Sequence, residues 1–245
     1  MIKMSKWYSR YNSDNAKIRI IFLPYAGGSA SIYQDWVNQL PPEVEAVLVQ
    51  LPGRANRFSE ALISQMGKLV PELGSALLEL EPRPYIIFGH SMGGRIGYQL
   101  LEFFKEKEQP LPMHFIASGC KAPHQIRHKS GSYLLPEKEF VQEIERLNAT
   151  PHEILENKEL LNICINILRA DFEVADYQTE HPENKYDIPF TLLFGLLDEE
   201  VSLDDIEEWR LHFNGNINVK LFNGGHFFIN SHTDKVINEI NKLCY

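Results

Sequence analysis

The sequence predicts an α/β fold with a mostly parallel central sheet and helices on both of its faces. Short apolar runs, typical of strands buried on both sides, alternate with segments of helical hydrophobic spacing along most of the 245 residues. Hydrophobic residues make up 44% of the chain, which is enough for one sizeable core. Because the sequence shows no internal repeat, low-complexity tract or linker, we expect residues 1–245 to form a single domain.

The predicted elements follow one another in a regular order. Residues 1–16 are polar and are predicted to form a loose leader. Strands are predicted at the apolar runs 18–23, 46–51, 85–88, 113–118, 188–195 and 217–222. Helices are predicted between and after them, at 32–40, 62–80, 96–104, 203–213 and 233–243. Pro71 and Gly74 fall inside the second helix, where we expect a kink or a break.

The regular alternation stops between Cys120 and Tyr186. No strand is apparent there, and two or three short helices are predicted, over 136–147, 152–168 and 169–179. Thr150 and Pro151 are residue types preferred at an N-cap and at the first helical position. We interpret residues 120–180 as a helical lid over an active site, with ordinary surface helices as the alternative.

A candidate nucleophile lies at Ser91. The segment Gly89-His90-Ser91-Met92-Gly93 matches the pattern G-x-S-x-G, with an apolar run before it and a helical pattern after it. In this context the motif forms the nucleophile elbow of α/β-hydrolases, a tight strand-to-helix turn. Small flanking residues are needed because the chain doubles back too closely for side chains. An ordinary glycine-rich turn is the alternative interpretation.

A serine hydroxyl needs a base within hydrogen-bond reach, and that base needs an orienting carboxylate. In α/β-hydrolases the three follow in the order serine, acid, histidine. Asp198 follows the strand that ends at Gly195, and His226 follows the strand that ends at Phe222. Both should lie at the carboxyl edge of the sheet, so we predict a catalytic triad of Ser91, Asp198 and His226. Other nearby carboxylates remain alternatives for the acid: Glu199, Glu200, Asp204 and Asp205.

Backbone N–H groups must also meet the negative charge that develops during acyl transfer. One donor is expected from the residue after the nucleophile, here Met92. The other is expected from the loop after an early strand, here Tyr25-Ala26-Gly27-Gly28, with Ala26 as the donor. The chain has no G-x-G-x-x-G or G-x-x-x-x-G-K-[ST] motif, so this glycine pair does not indicate a nucleotide site.

Net charge and cysteine content limit the partners and the cellular compartment that we expect for this chain. The net charge of −9 argues against a nucleic acid or an anionic membrane surface. The three cysteines have neither C-x-x-C nor metal-ligand spacing, so we expect free thiols in a reducing compartment and no metal. Residues 1–15 have no apolar segment of a secretory signal, and no apolar run reaches the length of a membrane span. We therefore expect a cytoplasmic protein.

Six short motifs occur along the chain: 22–30 (FLPYAGGSA), 50–54 (QLPGR), 88–94 (FGHSMGG), 121–124 (KAPH), 168–172 (LRADF) and 224–228 (GGHFF). Together they resemble type II thioesterases, the discrete editing enzymes of nonribosomal peptide and polyketide synthases. The similarity runs from about residue 18 to the C-terminus. Several separate motifs in the right order are far more specific than G-x-S-x-G alone.

The resemblance implies an α/β-hydrolase fold with a helical lid. It implies hydrolysis of acyl groups from the phosphopantetheine thiol of carrier proteins, with no cofactor of the chain's own. It places nucleophile, acid and base at Ser91, Asp198 and His226, and supports Ala26 and Met92 as backbone donors. The partner it implies is an acyl or peptidyl carrier protein, engaged transiently. We expect the chain itself to be a monomer.

Other functions on the same scaffold stay open. The rivals are an acyltransferase or cyclase, a general ester hydrolase, and a catalytically silent binding module. Because carrier proteins are often acidic and this chain is acidic too, docking needs a local basic or apolar patch. The candidate cationic residues are Arg54, Arg57, Lys121, Arg127, His128 and Lys129.

Overall fold

Seven strands form one central sheet. The computed structural model describes residues 5–12, 14–147, 156–181 and 185–245. The strands are β1 Tyr8–Tyr11, β2 Ile18–Leu23, β3 Val44–Val49, β4 Tyr85–His90, β5 His114–Ser118, β6 Phe190–Gly195 and β7 Asn218–Phe222. Their order across the sheet is β1-β3-β2-β4-β5-β6-β7, with β1 antiparallel to β3 and every other neighbouring pair parallel. The predicted α/β fold with a mostly parallel sheet is confirmed.

The interior strands are mostly apolar in sequence because both faces of the sheet are covered. In β2, β3 and β6 every residue is buried. In β4 the neighbours Ile87 and Phe88 point to opposite faces and enter two different cores. This burial on both sides is what allows these strands to be predicted from apolar runs alone.

The loose leader predicted over residues 1–16 is wrong. Tyr8–Tyr11 form the edge strand β1, with Tyr8 opposite Val49 of β3. Trp7 and Tyr8 are buried against the sheet, 6% and 8% exposed. A four-residue edge strand that carries Ser9 and Arg10 has no apolar run, because one side of it faces solvent.

Helices cover both faces of the sheet. They are α1 Met66–Leu78, α2 Met92–Glu106, α3 Glu137–Arg146, α4 Lys158–Ala175, α5 Asp204–Glu208, α6 Phe228–Ser231 and α7 Thr233–Asn241, with a run of 3₁₀ turns at Ala30–Gln39. Leu73 and Leu100 of α1 and α2 share one core with Ile87. Trp36 and Ile237 share the other core with Phe88. Within the described ranges, no helix has the length and apolarity needed to cross a membrane.

The expected break in the second helix is absent. Helix α1 runs from Met66 to Leu78 with Pro71 inside it. Gly74 has a packing role, since a Cβ at that position would lie 2.4 Å from the ring of Phe103 on α2. The glycine therefore permits the close contact of α1 with α2, and it does not end the helix.

Helices α3 and α4 form the inserted helical region. The optional third helix over 169–179 is not separate from the helix predicted over 152–168, because α4 continues from Lys158 to Ala175. The side chain of Asn157 caps α4 by accepting from two of its first backbone N–H groups. The predicted start at Thr150 and Pro151 lies outside the described residues.

This helical region has a small core of its own. Its buried members are Phe140, Ile144, Ile165, Leu168 and Phe172. Ala26, in the loop that follows β2, packs against this cluster. The helices therefore lie over the carboxyl edge of the sheet, where the predicted site residues should gather.

The opposite, amino-terminal edge of the sheet contains a buried cluster of charges. Glu45 is fully buried and accepts from Arg10, Arg19 and Arg83 at 2.5–2.7 Å. Arg19 is itself only 4% exposed. Glu81 belongs to the same cluster, but 63% of its side chain is exposed. Removal of the Glu45 charge would leave the buried Arg19 guanidinium without its buried carboxylate, with the exposed Glu81 at 3.7 Å in its place.

We expect Glu45→Gln to lower the free energy of unfolding by about 3 kcal/mol, because breaking a buried ion pair leaves an unpaired charge. Glu81→Gln, the exposed carboxylate of the same cluster, should cost less than about 1 kcal/mol. Urea denaturation of both variants measures the difference. Equal stabilities for the two variants would contradict this account.

Candidate active site

Ser91 occupies a strained turn between β4 and α2. Its φ is +53° and its ψ is −118°, a conformation that is costly for a residue with a side chain. A Cβ on Gly89 would lie 2.2 Å from the backbone of Gly93, and a Cβ on Gly93 would lie 2.3 Å from the Leu23 carbonyl oxygen. The Ser91 N–H donates to the Ser118 carbonyl at 2.7 Å. Both motif glycines are thus needed where strand, turn and helix approach most closely.

The fold brings Ser91, His226 and Asp198 into one hydrogen-bonded chain. The His226 Nε2 lies 3.0 Å from the Ser91 Oγ, and its Nδ1 lies 2.9 and 3.1 Å from the Asp198 carboxylate oxygens. The Asp198 side chain is fully buried, whereas 12% of the His226 side chain is exposed. In this arrangement an imidazole can accept a hydroxyl proton while the carboxylate fixes its tautomer.

Two loops at the carboxyl edge hold the acid and the base together. The Leu197 N–H donates to the Gly224 carbonyl at 2.9 Å, and a Cβ on Gly195 would lie 2.7 Å from that same oxygen. The Glu200 N–H donates to the Asp198 carboxylate at 2.8 Å. Close packing of the β6 and β7 loops therefore sets the position of the Asp198 side chain.

The other local acids have different surroundings. The Glu199 side chain is 80% exposed. Glu200 is buried and pairs with Arg146, and Asp205 accepts from Ser202. In the part of the chain that the structure describes, Asp198 is the one carboxylate hydrogen-bonded to His226.

Ala26 and Met92 line the same cavity as Ser91 and His226. Met92 is the first residue of α2, so its N–H is among the helix-start donors that lack an acceptor within the helix. Ala26 lies in a turn closed by the Gly28 N–H, which donates to the Tyr25 carbonyl at 2.9 Å. The two predicted donors thus border the space in front of the Ser91 hydroxyl.

The cavity has an empty volume of about 700 Å³, part of it open to solvent. The helical region supplies one apolar wall, made of Ile144, Leu147, Leu168, Phe172 and Ala175. Met92, Val201 and Phe227 line the side toward the sheet. The apolar lining of this cavity is suited to a group with a hydrocarbon portion.

Arg95 fixes the ends of the helical region to α2. It is buried and donates to the backbone carbonyls of Pro123, Gln125 and Tyr177 at 2.6–3.3 Å. Burial lowers the pKa of Arg95 to about 10, so the guanidinium stays charged at neutral pH. The segments that enter and leave the helical region are therefore tied to α2, the helix that begins directly after Ser91.

Cys120 also lines the cavity. Its sulfur would lie 2.4 Å from a Cβ placed on Gly94 of the elbow, and the residue is 5% exposed. Burial raises the pKa of the Cys120 thiol to about 12. The thiol therefore stays protonated at neutral pH.

His90 is a packing residue of the elbow. It is fully buried, its Nδ1 lies 2.9 Å from the Ser118 Oγ, and its ring contacts those of Tyr25 and Phe228. Burial, and then the nearby charge of His226, hold the pKa of His90 well below its usual range. His90 is thus neutral in the folded protein at neutral pH.

Sequence reasoning missed one buried ion pair beside the site. Arg54 and Asp171 pair in a bidentate manner, at 2.5 and 2.8 Å, and the Gly27 N–H donates to the same carboxylate at 2.7 Å. The two charged residues are 117 positions apart in the chain. Arg54 belongs to the motif QLPGR and Asp171 to the motif LRADF. The motifs single out both residues but do not predict the contact between them.

Most of the proposed docking cations are engaged within the protein. Arg54 and Arg57 are 4% and 3% exposed, so their selection as surface contacts is wrong. Arg57 lies over the Trp7 ring and pairs with Glu60. The remaining candidates each have an acidic partner within 4 Å: Lys121 with Asp205, Arg127 with Asp176, His128 with Glu200, and Lys129 with Glu143.

Comparison with known proteins gives a consistent match over nearly the whole chain. The model of the thioesterase domain family matches residues 18–244. The gramicidin S biosynthesis protein GrsT of Aneurinibacillus migulanus is 34% identical over 93% of this chain and 89% of its own length. The thioesterase PikA5 of Streptomyces venezuelae is 30% identical over 96% and 84%, respectively. The structure of the type II thioesterase BorB from the borrelidin biosynthetic cluster superposes with a TM-score of 0.87 at 28% identity, covering 98% of both chains.

The neutral state of His90 predicts a pH dependence of stability. Because the pKa of His90 is lower in the folded than in the unfolded protein, the unfolded chain binds more protons below about pH 6.5, and stability falls as the pH falls. Between pH 7.5 and pH 5.5 we expect the free energy of unfolding of His90→Gln to fall by about 1 kcal/mol less than that of the parent. Urea denaturation at both pH values measures this. Parallel losses in parent and variant would refute it.

Proposed function

Because the chain belongs to the thioesterase domain family, we propose that it is a type II editing thioesterase of nonribosomal peptide or polyketide synthesis. It hydrolyses acyl or aminoacyl thioesters from the phosphopantetheine arm of carrier proteins, which frees arms that carry a wrong or stalled group. The observation that carries the proposal is the chain of hydrogen bonds from Asp198 through His226 to Ser91, opening into an apolar cavity.

The first half of the reaction transfers the acyl group to the enzyme. His226 Nε2 takes the proton of the Ser91 hydroxyl as the Oγ attacks the thioester carbonyl carbon. Asp198 accepts from Nδ1 and stabilises the imidazolium that forms. The oxygen of the tetrahedral intermediate receives hydrogen bonds from the Ala26 and Met92 N–H groups. When the C–S bond breaks, the imidazolium proton goes to the leaving sulfur, and the carrier regains a free thiol.

The second half hydrolyses the acyl-enzyme. His226 removes a proton from a water molecule, which attacks the ester carbonyl on Ser91. The same two N–H groups stabilise the second tetrahedral intermediate. Its collapse breaks the bond between the carbonyl carbon and Oγ, and the proton returns from His226 to Ser91. The products are a free acid and the unloaded carrier protein.

The surroundings of the triad support an acyl substrate on a long arm. The hydrocarbon part of the acyl group lies against Leu168 and Phe172, and the pantetheine arm extends through the opening toward the carrier. Residues 120–180 act as the lid over this site. We propose further that the chain is one domain, acts as a monomer in the cytoplasm and meets its carrier transiently. The strands between Tyr8 and Phe222 all belong to one sheet, which supports a single domain.

We expect Ser91→Ala to reduce hydrolysis of acetyl-loaded carrier protein to background. Asp198→Asn should reduce kcat on the order of 10³- to 10⁴-fold, because His226 then loses its tautomer control and its counter-charge. Glu199→Gln, a change of the adjacent exposed carboxylate, is the matched control and should leave kcat within about twofold. Free acid and holo carrier protein are measured by mass spectrometry. A fully active Ser91→Ala variant would exclude this mechanism, and an acyl group found on another acceptor would favour an acyltransferase.

A further inference from the structure

The proposed function leaves Arg54 of the motif QLPGR and Asp171 of the motif LRADF without a role. The structure joins them. The guanidinium of Arg54 and the carboxylate of Asp171 face each other in two hydrogen bonds, and their side chains are 5% and 1% exposed. Two parallel N–H groups of a planar guanidinium bind both oxygens of the carboxylate, so this contact fixes both the distance between the two groups and their relative orientation.

The pair also holds the loop that follows β2. The Asp171 carboxylate accepts from the Gly27 N–H at 2.7 Å, and Arg54 reaches the Gly28 carbonyl at 3.4 Å. Gly27 has a φ of +79°, so the chain turns sharply just after Ala26. Two consecutive residues of the turn thus contact the pair, directly after Ala26, which lines the cavity.

Helix α4 packs against the same loop. A Cβ on Gly27 would lie 2.9 Å from a methyl group of Leu168, and Ala26 packs against the cluster that contains Leu168. Leu168 lies one helical turn before Asp171 and lines the cavity. One face of α4 therefore forms the cavity wall and also anchors the loop.

Stability alone is a weak reason for such a pair. Desolvation of two charges offsets most of their attraction, and apolar replacements of buried ion pairs are often neutral or stabilising. A hydrogen-bonded guanidinium and carboxylate do, however, fix a backbone amide in a way that apolar side chains cannot. The value of this pair lies in the geometry that it imposes on residues 26–28.

We propose that Arg54 and Asp171 are positioning residues that hold the Ala26 N–H in its oxyanion-binding orientation and fasten α4 to that loop. This inference rests on the proposed function. The pair should help to stabilise the transition state, in which the carbonyl oxygen becomes negative. It should have little effect on the affinity for the substrate in its ground state. Misplacement of a catalytic group by about 1 Å can cost on the order of 10² in rate.

The test compares variants that disturb the pair in different ways. Asp171→Asn removes the charge, and Arg54→Lys keeps the charge but loses the fork. The double variant Arg54→Met with Asp171→Leu replaces the pair by apolar groups, which removes the buried charges together. Glu45→Gln is the control, because it breaks a buried carboxylate–arginine cluster at the far edge of the sheet.

We expect kcat for acyl-loaded carrier protein to fall about 10²-fold in Asp171→Asn and in the double variant, and about 10-fold in Arg54→Lys. The Kd of an acyl-pantetheine analogue in which a methylene replaces the thioester carbonyl should stay within twofold of the parent in all three. Glu45→Gln should lose stability and keep its kcat at a temperature where it is folded.

Thermal unfolding of each variant distinguishes a loss of kcat caused by a misplaced Ala26 N–H from one caused by loss of the folded state. The double variant should recover stability relative to Asp171→Asn and still show the low kcat. Recovery of kcat together with stability would overturn the proposal, and so would a parental kcat in Asp171→Asn. A parent chain that fails to hydrolyse any acyl-loaded carrier would instead refute the proposed function, so the two failures are distinguishable.

Discussion

The left-handed backbone of Ser91 is the constraint on which the rest of the site depends. A non-glycine residue in such a region costs on the order of 1–3 kcal/mol, which the surrounding structure must offset. Here β4 lies in the middle of the sheet, the Ser91 N–H is held by the end of β5, and Gly89 and Gly93 let the helix start against the strand. The hydroxyl is thereby presented in front of the strand ends, within reach of loops that follow β2, β6 and β7.

The sheet and the triad could be predicted because both depend on local patterns. Strands buried on two faces are mostly apolar, and Ser91 and Asp198 each follow such a strand. His226 follows the edge strand β7, which is only partly buried but is followed by a glycine pair. The edge strand β1 could not be found in this way, since its burial comes from Trp7 and Tyr8 packing on a partner that is far away in sequence. The continuity of α4 was missed for a related reason, as its polar residues Arg169 and Asp171 have partners outside the helix.

The location of charged side chains was the least predictable property, because several arginines are buried. In sequence, Arg54 and Arg57 look like a basic surface segment beside a Pro-Gly turn. In the fold they lie inside, one against Asp171 and one over Trp7. Arg95 is buried among carbonyl oxygens and has no carboxylate partner among the described residues. From composition alone, these charged residues would be assigned to the surface. In the structure they join segments that are distant in the chain.

The burial of Cys120 has a consequence for the selectivity of the proposed chemistry. A thioester that enters the cavity could exchange with a cysteine thiolate, which would transfer the acyl group to the Cys120 sulfur and release the carrier thiol. This exchange needs the thiolate, and burial raises the pKa of the Cys120 thiol to about 12, so the thiol form predominates at pH 7. In the proposed reaction the Cys120 sulfur therefore stays a protonated thiol beside the thioester, and the acyl group is transferred to the Ser91 oxygen and then to water.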